Sequence, residues 1–218
     1  MTKKIVFISI IVVFSGRFLA QSKDFGLWTA ISLEKNINTR FSLELTEALR
    51  LNENVTQIAQ HYSQLAASYK IDKGFYVTLA YRNSQKFKYD ETVSYRNRLQ
   101  IGLSYKFALK NLGIEFQERF QSQIRDINRR DDWKIPKNYL RTRLTLTYDL
   151  NRKIEPFVSG ELFYELSEEF DNYRLRAGFS YEINKFQSIK SYYMLDQEIQ
   201  VKDPNSNFVL GFAYKYSF

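Results

Sequence analysis

Apolar and polar residues alternate along most of this chain, in runs separated by short polar segments. In the clearest run, Tyr95, Leu99, Ile101, Leu103, Tyr105 and Phe107 fall on one side, and Arg96, Arg98, Gln100, Ser104 and Lys106 on the other. Successive side chains of a β-strand point to opposite faces, so a period of two predicts strands with one apolar and one polar face. The pattern predicts strands at about 24–34, 40–53, 58–70, 74–86, 92–107, 112–125, 138–149, 154–166, 170–183, 187–199 and 208–218.

A short motif centred on tyrosine recurs at the ends of these runs. Its copies are Ser68-Tyr69-Lys70, Ser104-Tyr105-Lys106, Thr147-Tyr148-Asp149, Ser180-Tyr181-Glu182 and Ala213-Tyr214-Lys215. After each of the first four comes a short polar turn and a new alternating run, which indicates repeated hairpins with tight turns at one end and longer loops at the other. Transmembrane barrels are built in this way, with their short turns in the periplasm.

The number of strands is left open by the sequence. Eleven candidates would close with a parallel pair, whereas single-chain bacterial barrels have even strand numbers. Either segment 24–34 is not an ordinary spanning strand, or a twelfth strand is hidden. We therefore predict an all-β fold, a transmembrane antiparallel up-and-down β-barrel of about 10–12 strands.

Alternation alone does not show which face lines the interior, because a soluble lipocalin-like barrel has the same period with its apolar face inward. Two features favour a membrane barrel. The chain ends in the alternating aromatics Tyr214, Tyr216 and Phe218, which resemble the assembly signal of outer-membrane barrels. Aromatic residues also collect near the tight turns, as an interfacial girdle requires. They are Tyr69, Phe75, Tyr76, Tyr105, Phe107, Tyr148 and Tyr181.

If the apolar face meets lipid, the charged face lines the lumen. Long arginine and glutamate side chains can pair across strands and plug a narrow barrel, or an arginine excess can leave a narrow passage that prefers anions. We favour the plug. The candidate lumen residues are Arg96, Arg98, Glu115, Arg119, Arg141, Arg143, Glu161, Glu165, Arg174 and Arg176.

The first residues of the chain indicate export. A basic start at 1–4, an apolar run at 5–14 and a small residue at Ala20 predict a signal peptide over 1–20, with 21–218 as a single barrel domain. The apolar run is too short for a spanning helix, which needs roughly 20 residues. Export with a barrel pattern predicts the Gram-negative outer membrane, with outer-membrane lipid and the barrel-assembly machinery as partners.

Composition excludes several kinds of chemistry. The chain has no cysteine, so no disulfide, thiolate nucleophile or cysteine metal site is available. The net charge of +8 is spread among acids along the chain, which does not favour nucleic-acid binding. A mean hydropathy of −0.43 is compatible with a barrel, because alternate residues of its strands face water.

Several strand patterns resemble one known family. They are residues 24–28 (Asp-Phe-Gly-Leu-Trp), 41–51, 139–144, 155–164 and 170–176. They are similar to the DUF2490 family of predicted outer-membrane β-barrels of unknown function, and the resemblance covers essentially the mature chain. It implies the barrel fold and brings no catalytic or binding residues with it.

Catalysis has one weak candidate. His61, the single histidine, and Ser63 share a strand face, a spacing similar to that of outer-membrane lipid A deacylases, in which histidine activates serine for attack on an ester. Glu47 is the candidate orienting acid on another strand. We nevertheless favour His61 as a polar residue near the water interface, and predict no enzyme activity and no cofactor.

The functional expectation is accordingly broad. It is a non-enzymatic outer-membrane barrel, either structural or a narrow passive channel. The alternatives are an outer-membrane lipid acyl hydrolase and a soluble periplasmic ligand-binding barrel. Acidic loop residues are weak calcium candidates, although a solvated loop is the favoured interpretation. They are Asp131, Asp132, Glu168 and Glu169.

Overall fold

The computed structural model describes residues 23–87, 92–125, 136–150, 152–167, 170–200 and 204–218, and the predicted signal peptide lies outside them. The described residues form strands at the positions where the sequence alternates. The strands are β1 (Lys23–Asn36), β2 (Phe41–Asn52), β3 (Gln57–Asp72), β4 (Phe75–Phe87), β5 (Val93–Leu109), β6 (Leu112–Arg125), β7 (Lys137–Tyr148), β8 (Ile154–Glu165), β9 (Phe170–Asn184), β10 (Gln187–Glu198) and β11 (Ser206–Ser217).

These eleven strands form one closed barrel. Each strand pairs antiparallel with the next along the chain, and β1 pairs with β11 in parallel. The predicted all-β barrel is confirmed. The expectation that segment 24–34 is not an ordinary strand, or that a twelfth strand is hidden, is wrong, because β1 is a full strand of 14 residues with partners on both sides.

The parallel seam is closed to the last residue of the chain. The backbone N–H of Phe218 donates to the carbonyl oxygen of Glu34 over 2.9 Å, and the N–H of Asn36 donates to the carbonyl oxygen of Phe218 over 2.9 Å. On the inner side, Lys215 Nζ lies 2.9 Å from Glu34 Oε2. A single parallel pair, bonded in this way, is how an odd strand number closes without leaving a free sheet edge.

Short and long connections lie at opposite ends of the barrel. Two-residue turns join strands at 73–74, 110–111 and 185–186, whereas residues 126–136 separate β6 from β7 at the other end. Gly74 has φ +79°, and a Cβ there would collide with the carbonyl oxygen of Lys106. Only glycine fits that turn.

The outer wall of the barrel is apolar. Leu65, Leu79 and Leu99 are 54%, 52% and 54% exposed at positions that point away from the lumen. A soluble barrel would bury such residues, so the soluble ligand-binding alternative is wrong and the barrel is of the transmembrane kind. Tyr76 departs from the predicted girdle, because it faces inward beneath the ammonium groups of Lys70 and Lys106.

The interior is mostly polar. Gln100, Gln121 and Gln123 are buried there beside arginines and acids. Few buried side chains are apolar, so hydrogen bonds and ion pairs fill most of the lumen. The buried apolar residues are Ala48, Ala66, Ala80, Tyr139, Phe157, Phe163, Met194 and Val209. None of the described segments contains a helix long and apolar enough to cross a membrane.

Candidate functional site in the barrel lumen

The inner face carries all ten residues that the sequence nominated for the lumen. They occupy the same alternating face as buried neighbours such as Gln100, Gln121 and Phe163. β5 supplies Arg96 and Arg98, β6 Glu115 and Arg119, β7 Arg141 and Arg143, β8 Glu161 and Glu165, and β9 Arg174 and Arg176. The structure therefore brings together charges from five adjacent strands.

Glu161 is the central acid of this set. Its Oε1 lies 2.7 Å from Arg141 and its Oε2 lies 3.4 Å from Arg176. Its register partners on the neighbouring strands are Arg143 and Arg174. Arg174 has a second acid, Asp196 of β10, at 2.8 Å. The carboxylate of Glu161, 3% exposed, thus lies among four arginines and ties β7, β8 and β9 together.

Toward strands β3 to β6, the inward arginines donate hydrogen bonds to glutamine side chains instead of acids. Arg82 donates to Gln64 Oε1 over 3.0 and 2.7 Å, and Arg98 donates to Gln123 Oε1. Arg119 and Arg143 both donate to Gln117 Oε1, over 2.8 and 2.6 Å. We call Arg82, Arg98, Arg119 and Arg143 the glutamine-bridged arginines. Their hydrogen-bond acceptors are neutral, although Arg143 also lies beside Glu161 as its register partner.

Arginines also alternate with aromatic rings around the lumen. The guanidinium carbon of Arg50 lies 3.7 Å from the Trp28 ring centroid, that of Arg82 lies 3.8 Å from Tyr62, and that of Arg174 lies 5.4 Å from Trp28. Cation–π contacts of this length are attractive, and more so away from water. We call this set the arginine–aromatic belt; it consists of Arg82, Tyr62, Arg50, Trp28, Arg174, Phe163 and Arg141.

The belt lies between two cavities. One, of about 160 Å³, is lined by Gln64, Gln100 and Arg119 together with residues toward the tight turns. The other, of about 210 Å³, is lined by Trp28 and Arg50 and lies toward the long loops. The two cavities share no lining residue. Packed side chains of the belt therefore lie between these two spaces.

Arg50, Trp28, Arg82 and Tyr62 were missed from the sequence. Each sits at an inward position of an alternating strand, which is the signal that could have found them. An arginine without a charged partner in the sequence, next to aromatic positions on other strands, carries no paired-charge signal.

The catalytic candidates lie elsewhere, on the outer wall. Glu47 Oε2 lies 3.1 Å from His61 Nε2, and the Ser63 hydroxyl donates to the same oxygen over 2.8 Å. Asn83 is the register partner of Ser63 on β4, and its Nδ2 donates to Asn97 Oδ1 over 2.9 Å. The structure thus places Glu47 in contact with both His61 and Ser63. The amide of Asn83 lies beside them on the next strand.

Metal binding finds no support in the described part of the chain. No group of three or more His, Cys, Asp or Glu residues is placed there to hold a metal ion. The four calcium candidates, Asp131, Asp132, Glu168 and Glu169, lie outside the described residues.

A closed barrel with an apolar outer wall and a charged, filled interior defines the class of transmembrane β-barrels. Within that class, the chain belongs to the family described as "Protein of unknown function (DUF2490)", whose model matches residues 25–207. The resemblance seen in the strand patterns is thereby confirmed. No curated protein matches the sequence.

Two solved structures are similar to this chain. The crystal structure of the beta domain of the Bordetella autotransporter Brka has a TM-score of 0.51 at 14% identity, covering 83% of this chain and 85% of that one. An anion-selective porin from Comamonas acidovorans has a TM-score of 0.40 at 12% identity, covering 83% of this chain and 54% of that one. The first similarity shows a shared barrel fold.

Proposed function

We propose that this chain is a non-enzymatic barrel of the Gram-negative outer membrane whose lumen is closed by its own side chains. The observation that carries the proposal is the arginine–aromatic belt between two separate cavities. We infer that the guanidinium groups stacked on rings interrupt the water path at that level. The barrel then acts as a structural element of the membrane, and a narrow anion-preferring passage is the competing version.

Conductance in a planar lipid bilayer separates these two versions. The parent protein is expected to give no current steps, whereas Trp28→Ala combined with Tyr62→Ala, which removes two rings of the belt, opens a small anion-preferring conductance. Tyr81→Ala, on the outer wall, is the matched control and stays silent. A heat-dependent shift on a gel verifies that each variant is folded. Steady current from the folded parent would replace the closed lumen with the passage.

The membrane and assembly partners belong to the same proposal. The apolar outer wall fits outer-membrane lipid, and the last strand presents Phe212, Tyr214 and Tyr216 outward at alternate positions. Phe218 completes the seam with β1. We propose that the barrel-assembly machinery recognises this strand before the seam closes.

A lipid acyl hydrolase is the second candidate, favoured by the contacts of Glu47 with His61 and Ser63. In such a reaction the Ser63 oxygen would attack an ester carbonyl, His61 would pass the hydroxyl proton to the leaving alcohol, and water would release the acid. The cluster begins four residues after the start of β3, on the lipid-facing side near the long-loop end. The Ser63 hydroxyl donates its hydrogen bond to Glu47 and not to His61, so a side-chain rotation would have to come first.

Fatty acid release from phospholipid or lipid A in mixed micelles tests this candidate. A hydrolase requires release by the parent and loss to background in both Ser63→Ala and His61→Ala. Gln85→Ala, at the register partner of His61 on the same outer face, is the control and keeps full activity. Our leading proposal expects no release from the parent, and that result removes the hydrolase.

A further inference from the structure

An apolar groove of about 450 Å³ opens on the outer wall, where it crosses β7, β8, β9 and β10. Its lining contains two rows of side chains that are register partners from strand to strand. The first row consists of Leu144, Gly160, Leu175 and Leu195. The second consists of Leu146, Val158, Ala177 and Tyr193. We call the space between these two rows the outer groove.

Two small residues on adjacent strands, Gly160 and Ala177, form the floor of the outer groove. Gly160 lies between Leu144 and Leu175, whose side chains are exposed. A Cβ at Gly160 would meet Leu175 Cδ2 at 3.8 Å, an ordinary contact, whereas a Cβ at Gly178 would collide with the backbone of β10. Packing within the barrel therefore does not require glycine at 160. Glycine inside a strand often marks a place that a ligand approaches closely.

The outer groove ends against an aromatic wall. The ring of Tyr193 is stacked on that of Phe208 of β11, with centroids 6.2 Å apart and an angle of 21° between the planes. The one charged residue in the lining, Arg176, turns its guanidinium to the lumen, where it contacts Glu161 Oε2 at 3.4 Å and Met194 Sδ at 3.2 Å. The lining therefore presents apolar surface and no charged group to an occupant.

We propose that the outer groove binds one acyl chain of a membrane lipid. Its volume lies in the range of small-molecule sites, about 300–1,000 Å³. Four strands at a spacing of about 4.8 Å give it a length of about 14 Å. One leaflet of the hydrocarbon core is about 15 Å thick, so the groove accommodates most of one chain.

The position of the groove selects the chain and not the headgroup. Gly160 and Ala177 lie in the middle of β8 and β9, at the depth of the acyl chains. Strands of such barrels tilt by about 35–45°, so a row of register partners is itself inclined to the membrane normal. A chain in the groove then lies obliquely to the surrounding lipid, which distinguishes it from ordinary boundary lipid.

A second copy of this chain fits the groove less well. Most homodimers are isologous, so that the same surface meets itself. A recess centred on Gly160 would then face an identical recess and leave a void, which close packing disfavours. A flexible hydrocarbon chain can follow the recess. Because lipid and wall are equally apolar, the gain comes from dispersion contacts along the chain.

This inference rests on the proposed location in the membrane and adds a particular place where lipid binds. It does not depend on whether the lumen conducts.

Site-resolved photolabelling tests the inference. The full chain is folded into phosphatidylcholine vesicles in which a small share of the lipid carries a diazirine in the middle of one acyl chain, and adducts are located by peptide mass spectrometry. Labelling in the outer groove is expected to exceed that of a second outward row, Leu43, Ala67 and Leu79, by about threefold or more.

Two variants fill the floor of the groove. Ala177→Leu and Gly160→Leu are each expected to lower labelling of Leu144 and Leu175 by about threefold. Ala67→Leu, the same substitution as Ala177→Leu but on β3 outside the groove, is the matched control and leaves groove labelling unchanged. A heat-dependent shift on a gel verifies folding, and either filled variant suffices if the other does not fold.

The possible failures are distinguishable. Equal labelling of both outward rows in the folded parent, or parental groove labelling in the filled variants, overturns the site and leaves the membrane location intact. Absence of labelling anywhere on the outer wall overturns both. Low labelling of the groove together with chemical cross-linking of two barrels through it assigns the groove to a second copy and overturns the acyl-chain site.

Discussion

Glu161→Gln is expected to destabilise the barrel by about 3–5 kcal/mol, the cost of removing one partner from a buried ion pair. The Glu161 carboxylate is 3% exposed and contacts Arg141 and Arg176 at 2.7 and 3.4 Å. Glutamine keeps the shape of the side chain but removes its charge, and one of its polar ends is an N–H donor. The guanidinium groups around it then lie in the lumen without their main counter-charge.

Urea unfolding in lipid vesicles, followed by tryptophan fluorescence, measures this loss. Glu182→Gln is the matched control, because Glu182 is exposed near the tight turns and its replacement should change stability by no more than about 0.5 kcal/mol. Adding Arg141→Gln to Glu161→Gln is expected to restore part of the stability, since it removes the charge left unpaired. Equal stability of Glu161→Gln and the parent would show that Glu161 does not hold the interior together.

Alternation was enough to predict the fold, because every strand of a membrane barrel has one face toward lipid and one toward the lumen. In the run from Tyr95 to Phe107, the apolar residues face out and the arginines face in, as the pattern indicates. Strand ends were also readable, since polar turns interrupt the alternation. The closure of the barrel was not readable. The period of β1 is the same whether its neighbour runs parallel or antiparallel, so only the register with β11 could settle the strand number.

The interior was harder to read than the fold. Alternation predicts which charged residues line the lumen. Their hydrogen-bond and ion-pair partners depend on which strands are adjacent and in which register. Gln64 and Gln117 carry no charge and gave no signal, although they accept hydrogen bonds from Arg82, Arg119 and Arg143. The contacts of Glu47 with His61 and Ser63 also form between two strands, so they could not be predicted without the register of β2 and β3.

Leu79→Arg is expected to destabilise the barrel by about 2–4 kcal/mol, the cost of arginine on the lipid face near the bilayer midplane. Leu79 is 52% exposed in the middle of β4, and its register partners are Ala67 and Ile101. None of these neighbours offers a carboxylate, so the new guanidinium would have to reach toward the interface or draw water into the hydrocarbon. Urea unfolding in lipid vesicles measures the loss, and a short-chain detergent, which admits water more readily, should reduce it.

The adjacent residue gives a control in which the new arginine points to the other face of the strand. Thr78 points inward to the cavity that Glu34 and Glu44 also line. Thr78→Arg therefore places the same group in a polar space with acids nearby, and costs less than Leu79→Arg even though it loses the hydrogen bond between Thr78 and Ser68. Because each variant adds one arginine to the same stretch of β4, the net charge changes equally in both. The ordering of their stabilities then depends on which solvent each face meets, and the opposite ordering would mean that the outer wall does not lie in hydrocarbon.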